Sequence, residues 1–274
     1  MKILNKKIRF VDFVPPIFLP ALKKIKSHIN LSRIEKSYPP VTSCASPILD
    51  SPVTPYVSPI LCSYSQFNED LIIDLLFMGK TKGFYIDIGA NDPDSSNNTK
   101  RFYEKGWSGI NIEPGKDSFE KLCLKRSRDI NLNIGLGSDK GSLTFYKINE
   151  NSQLSTFDKN LAVATAAEHQ MTIEKVQIDV WRLVDVFERH GKDTQVDFMS
   201  LDAEGLDLEV LQSNDWDRFR PTLVIIEIDK GYRDIVGFMA QCNYLLIWNN
   251  EHNGIFVDKT TSDNFVKRMV CIDK

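Results

Sequence analysis

The chain has 274 residues, 42% of them hydrophobic and 26% charged, with a net charge of −3 and a pI of about 5.9. That is enough apolar material for one sizeable core with a short appendage. The acidic balance argues against a nucleic-acid partner, which would call for a basic stripe to meet phosphates.

Residues 1–36 read as an N-terminal extension. No apolar run reaches the roughly 18 residues that a membrane-spanning helix needs. The nearest, Phe10 to Leu22, is interrupted by Asp12, Pro15, Pro16 and Pro20. Lys6, Lys7 and Arg9 precede it, and Lys23, Lys24 and Lys26 follow. Two expectations fit this pattern: a surface extension packed on the domain, or an interfacial anchor at residues 6–26 whose lysines meet anionic headgroups on the inner face of a membrane. Residues 37–64 hold six of the twelve prolines, which removes backbone donors and disfavours helix, so this stretch reads as a linker.

From residue 65 to 274 short β-branched runs alternate with helical patterns. Strands are predicted at 83–89, 108–113, 130–137, 142–148, 176–180, 196–202, 222–229 and 244–248, with a last pair near 254–258 and 265–271. Helices are predicted at 96–105, 115–127, 161–169, 183–189, from about 206, and at 232–241. Such alternation predicts a doubly wound α/β domain with a mostly parallel sheet and antiparallel additions at its C-terminal end. Five cysteines (Cys44, Cys62, Cys123, Cys242 and Cys271) are odd in number, with no CxxC pair. They argue against a zinc site or a disulfide framework and for reduced thiols in a cytoplasmic protein.

In this architecture ligands bind beyond the carboxyl ends of the strands. Three polar clusters fall there. In the first, Asp87-Ile-Gly89-Ala90-Asn91-Asp92, Gly89 permits a tight turn with close backbone approach, Ala90 leaves that approach unhindered, and Asn91 tolerates left-handed dihedrals. A full GxGxxG is absent, because Pro93 and Asp94 stand where later glycines would. That disfavours a dinucleotide pyrophosphate and suits a ligand without phosphates. The second cluster is Glu113, whose carboxylate can accept from both hydroxyls of a ribose. The third is Asp202-Ala-Glu204-Gly205.

The ordered motifs GFYIDIGAND, NNT at 97–99, GWSGINIEP, VDFMSLDAEGLDLEVL and RPTLVIIE, with the lead-in YSQFNED at 64–70, resemble the FkbM family of methyltransferases over roughly residues 64–230. The resemblance implies a seven-stranded class I methyltransferase fold and S-adenosylmethionine as cofactor. Carried over residue by residue, Asp87, Gly89, Ala90 and Asn91 line the methionine part of the cofactor, and Glu113 holds the ribose hydroxyls. Asn133 to Gly135 lie near the adenine, and Asp202 completes the cofactor set. Pro93 departs from the glycine that members often carry there.

Methyl transfer to an alcohol needs orientation of the acceptor and a base or metal for the hydroxyl proton. Asp202 and Glu204 are the first candidates, Glu204 having a helix cap as its alternative role. His169, in the 150–175 insert, is a candidate base, with a solvated side chain as its alternative. Asp202, Glu227 and Asp229 would gather around Mg²⁺, a hard cation that prefers oxygen ligands. The expected activity is O-methylation of a small-molecule or glycan hydroxyl in bacterial surface-glycan biosynthesis. The alternatives are methylation of a secondary metabolite and a non-catalytic nucleoside-binding module of the same fold.

Overall fold

A computed structural model describes residues 63–77, 80–149, 152–191, 193–229 and 231–261. The expected extension, the linker up to residue 62 and the strand at 265–271 lie outside these residues. Among the described residues, no helix is long and apolar enough to cross a membrane.

The main sheet has seven strands in the order β3-β2-β1-β7-β8-β10-β9. They are β1 (Phe84–Ile88), β2 (Ser108–Ile112), β3 (Ile130–Leu132), β7 (Phe198–Leu201), β8 (Leu223–Glu227), β9 (Tyr244–Asn249) and β10 (Asn253–Asp258). The first five run parallel, and β10 pairs antiparallel with both β8 and β9. The helices are α1 (Glu69–Leu76), α2 (Lys100–Glu104), α3 (Lys116–Lys125), α4 (Lys159–His169), α5 (Leu183–Val186), α6 (Asp207–Gln212) and α7 (Tyr232–Gln241). This is the expected doubly wound architecture with an antiparallel C-terminal end. Helix α7 lies where its periodicity predicts, whereas α1 has no counterpart among the predicted elements.

Strand alternation sorts the sheet into two unlike faces. One carries Ile86, Ile88, Ile110, Ile112, Met199, Leu201, Val224 and Ile226, packed with Val186, Leu211, Ile235 and Met239 from the later helices. The other begins aromatic and ends polar. Phe198 lies 5.7 Å from the Tyr85 ring and 4.7 Å from Phe102 of α2, with Trp107 and Phe77 completing the cluster. Further along the same face stand Asp87, Asn111 and Ser200, in register across β2, β1 and β7. The difference between the aliphatic and the aromatic-polar face sets the register. A one-residue slip would turn those aliphatic side chains to the wrong side.

The segment predicted as one strand at 130–137 divides. β3 stops at Leu132, and Gly135–Leu136 form β4 of a second, three-stranded sheet ordered β4-β6-β5, with β5 (Gly141–Ile148) and β6 (Ile173–Trp181) antiparallel. The cause is Asn133. Its Nδ2 donates to the carbonyls of Glu113 (2.9 Å) and Pro114 (3.0 Å), so it faces the β2 exit instead of continuing a ladder.

Candidate active site

The parallel strands end in step. Ile112, Ile88, Leu201 and Ile226 are mutual partners across β2, β1, β7 and β8. The next residue of each is Glu113, Gly89, Asp202 and Glu227, which form one row along the carboxyl edge. A cleft of about 310 Å³ opens over this row, and all four residues line it.

Gly89 makes the floor. Its φ is +75°, and its N–H donates to the Ile112 carbonyl at 2.9 Å, as does that of Ala90 at 3.2 Å. A Cβ on Gly89 would overlap the carbonyl oxygen of Asp202. Only glycine lets the β1 and β7 exits touch, and the touching exits leave bare backbone facing the cleft. Asn91 follows with φ +44°, its side-chain oxygen accepting from Ser118 Oγ at 3.0 Å.

Glu113 is buried, and each carboxylate oxygen accepts one backbone N–H: Asn91 at 2.8 Å and Gly115 at 2.6 Å. A carboxylate has roughly four acceptor sites, so both oxygens retain capacity toward a diol in the cleft. Burial pushes its pKa up to about 7, against the lowering by the two backbone donors, with the Asp87 and Asp202 charges adding to the rise.

Asp87, Ala90 and Asn133 do not line the cleft; they shape it from behind. The Asp87 carboxylate accepts from Thr99 Oγ1 at 2.7 Å and Asn97 Nδ2 at 3.4 Å. Burial raises its pKa to about 6, with Thr99, Arg126 and Asn97 opposing. Asn97 is the centre of this network. Its Nδ2 also donates to the carbonyls of Ala90 (3.1 Å) and Asp92 (3.3 Å). Its Oδ1 accepts from the N–H groups of Thr99 (3.0 Å) and Lys100 (2.7 Å) and from Arg126 Nη2 (3.0 Å). Arg126, fully buried, reaches on to the Pro93 carbonyl at 2.7 Å. Thus Pro93, where a glycine would give freedom, is instead gripped. The NNT motif serves as the clamp of the 89–93 loop, and sequence reasoning missed Arg126 because its partners lie 29 and 33 positions away.

The β7 exit is ordered by a residue not singled out in the sequence. Asp207 accepts from the N–H groups of Ala203 (2.8 Å) and Gly205 (3.2 Å), and burial pushes its pKa to about 7. The D-x-E-G-x-D spacing, an acid placed to cap its own preceding loop, is a signal that could have found it. Asp202 is exposed and Glu204 half-buried with φ +52°, and both line the cleft.

Across from the row stands a wall built by the insert between β3 and β7. Ile134, Leu136, Phe145 and Phe157 give it an apolar half, with the two rings 4.9 Å apart. Gly135 is needed beneath them, since a Cβ there would lie 2.7 Å from Phe157 Cζ. Gln153 and Ser155 give a polar half, joined by Ser96 and by Gln66 of the YSQFNED segment. Thr156 ties wall to row, its Oγ1 donating to the Glu204 carbonyl at 3.0 Å.

Two expectations are corrected here. His169 is the exposed last residue of α4, a helix within the β5–β6 connection, and it does not line the cleft. Asp229 is exposed and absent from the cleft lining, although its charge, like that of Asp202, reaches Glu227. No group of three His, Cys, Asp or Glu among the described residues is arranged to hold a metal ion. The strand pairs fix the backbones, but β8 ends at Glu227, and the alternation that would bring Asp229 to the same side does not extend past it.

Sheet order defines a class I methyltransferase-type α/β fold, with the cleft over its β1–β7 edge. A model of the methyltransferase FkbM domain matches residues 87–246, and the chain belongs to that family and is a methyltransferase. No curated protein matches the sequence. Among solved structures the chain is similar to a protein described as a caffeoyl-CoA O-methyltransferase from Staphylococcus aureus. The two are 12% identical, the match spans 88% of this chain and 98% of that one, and the TM-score is 0.35. A score that low leaves the fold assignment to the sheet topology and the family match.

Proposed function

We propose that this enzyme uses S-adenosylmethionine to methylate a hydroxyl of a small sugar-like acceptor, of the kind found in bacterial glycans. The observation that carries the cofactor reading is the row itself: a glycine-floored turn beside a buried acid whose two oxygens are held by backbone N–H groups. The bare 89–91 backbone suits an amino-acid moiety, Glu113 a ribose diol, and the Ile134, Leu136 and Phe157 patch a flat base. When bound, the cofactor supplies an electrophilic methyl group on a sulfonium.

The chain's part is to orient and to exclude water. Glu113 and the clamped loop fix the nucleoside end. The Thr156–Glu204 bond holds the insert wall against the row, which would limit the orientations open to an acceptor beside the methyl group. Gln66, Ser96, Gln153 and Ser155 offer uncharged donors and acceptors, which match hydroxyls, and Phe145 offers a ring face against which a sugar can lie. These features support a neutral hydroxyl-bearing acceptor.

Thermal unfolding tests the cofactor assignment. S-adenosylhomocysteine at 100 times its Kd should stabilise the fold by about 2.7 kcal/mol, raising Tm by roughly 5–10 °C for a domain of this size. NAD should leave Tm unchanged. A rise with NAD and none with S-adenosylhomocysteine would overturn the reading.

A further inference from the structure

We propose that Glu227 is the catalytic residue that meets the acceptor and takes the proton of the hydroxyl being methylated. The proposal rests on the cofactor reading above and adds a residue to it.

Position is the first argument. Adjacent strands lie about 4.8 Å apart, so Glu227, three strands from Glu113 along the row, stands roughly 14 Å from it at the backbone. With the ribose at Glu113 and the amino-acid moiety over Gly89, the far end of the row is left for the acceptor. Glu227 lines the cleft at that end.

The second argument is an unmet acceptor. Glu227 Oε2 is buried, yet among the described residues it has no hydrogen-bond partner. A buried carboxylate oxygen without a donor is costly, and such an atom calls for a donor brought by a ligand. A hydroxyl hydrogen is one.

Charge is the third. No lysine, arginine or histidine is among the described residues lining the cleft. The groups around Glu227 are Asp202 and Glu204 from the β7 exit, Asp207 at the head of α6, and Asp229 on its own strand's exit. Asn253 faces it in register from β10, with its Nδ2 committed to Glu69 of α1. Gln66 joins from the N-terminal segment. His252, at the β9–β10 turn, has its ring stacked on Phe67. Burial, then these acids, push the Glu227 pKa up to about 9. Without cofactor the protonated carboxyl is therefore favoured, and a sulfonium beside it favours the ionised form, whose Oε2 can then accept the hydroxyl hydrogen.

The step balances. The acceptor oxygen bonds to the methyl carbon while the carbon–sulfur bond breaks, its electron pair staying on sulfur. The hydroxyl proton passes to the Glu227 carboxylate and later to solvent.

Calorimetry in two buffers of different ionisation enthalpy counts the protons released on binding and needs no acceptor. At pH 7.5 the wild-type protein should release about one more proton with S-adenosylmethionine than with S-adenosylhomocysteine, whose thioether sulfur carries no charge. Glu227→Gln should lose that excess while keeping its affinity for S-adenosylhomocysteine. Equal release with both ligands in the wild type, or an excess that persists in Glu227→Gln, overturns the proposal and leaves the cofactor reading intact. Absence of binding by either ligand overturns the cofactor reading and the proposal with it.

Discussion

Gly89→Ala is expected to abolish cofactor binding, lowering S-adenosylhomocysteine affinity by at least about 100-fold, or about 2.7 kcal/mol. Two costs combine. A φ of +75° is one that non-glycine residues adopt only with strain of about 1–2 kcal/mol. The added Cβ would also run into the Asp202 carbonyl, which cannot easily retreat, because the Asp202 N–H is bonded to the Ile88 carbonyl at 3.0 Å. Separating the β1 and β7 exits would lift the cleft floor itself. Titration calorimetry reads the affinity, and thermal unfolding should show a Tm lower by several degrees. A variant with wild-type affinity would mean that the turn is not the cofactor's floor.

Asn97→Ala should cost about 3 kcal/mol of stability, the range for opening a buried polar network rather than a single bond, and lower Tm by about 6–12 °C. The loss exceeds that of an ordinary buried amide because its partners are stranded together. Asp87 loses a donor while buried. The Ala90 and Asp92 carbonyls lose theirs, and Arg126 loses an acceptor. Asn97→Asp should not rescue, since it keeps the acceptor oxygen but sets a second carboxylate beside Asp87. Denaturant or thermal unfolding of the two variants checks this. A Tm within 2 °C of wild type for Asn97→Ala would show that the loop is held by other means.

What the sequence revealed and what it hid divide along the length scale of the cause. The β1 turn, Glu113 and the β7 exit were legible because each depends on a strand end and its next few residues: an apolar run stops, and a glycine or an acid follows. Helix α7 was legible for the same reason, with its apolar period intact over ten residues. The division at Asn133 was not, because apolar spacing over 130–137 reads as one strand until the carbonyls of Glu113 and Pro114 are brought alongside. Nor could spacing disclose the second wall. Phe145, Gln153 and Phe157 reach the cleft only once β5 pairs with β6 and Thr156 docks on the Glu204 carbonyl, 48 positions on. His169 and Asp229 were misplaced by the converse error, in which proximity in sequence stood in for direction in space. Asp207 and Arg126 look like ordinary charged helix residues until their burial is known.

The central claim is that the β1–β2 edge of this cleft holds the ribose of S-adenosylmethionine through Glu113. Titration calorimetry of S-adenosylhomocysteine against wild type and Glu113→Ala tests it most directly. The account predicts clear binding to the wild type and an affinity at least tenfold lower in the variant, a loss of about 1.4 kcal/mol or more. Equal affinity in the two proteins, or no binding to the wild type, would contradict it.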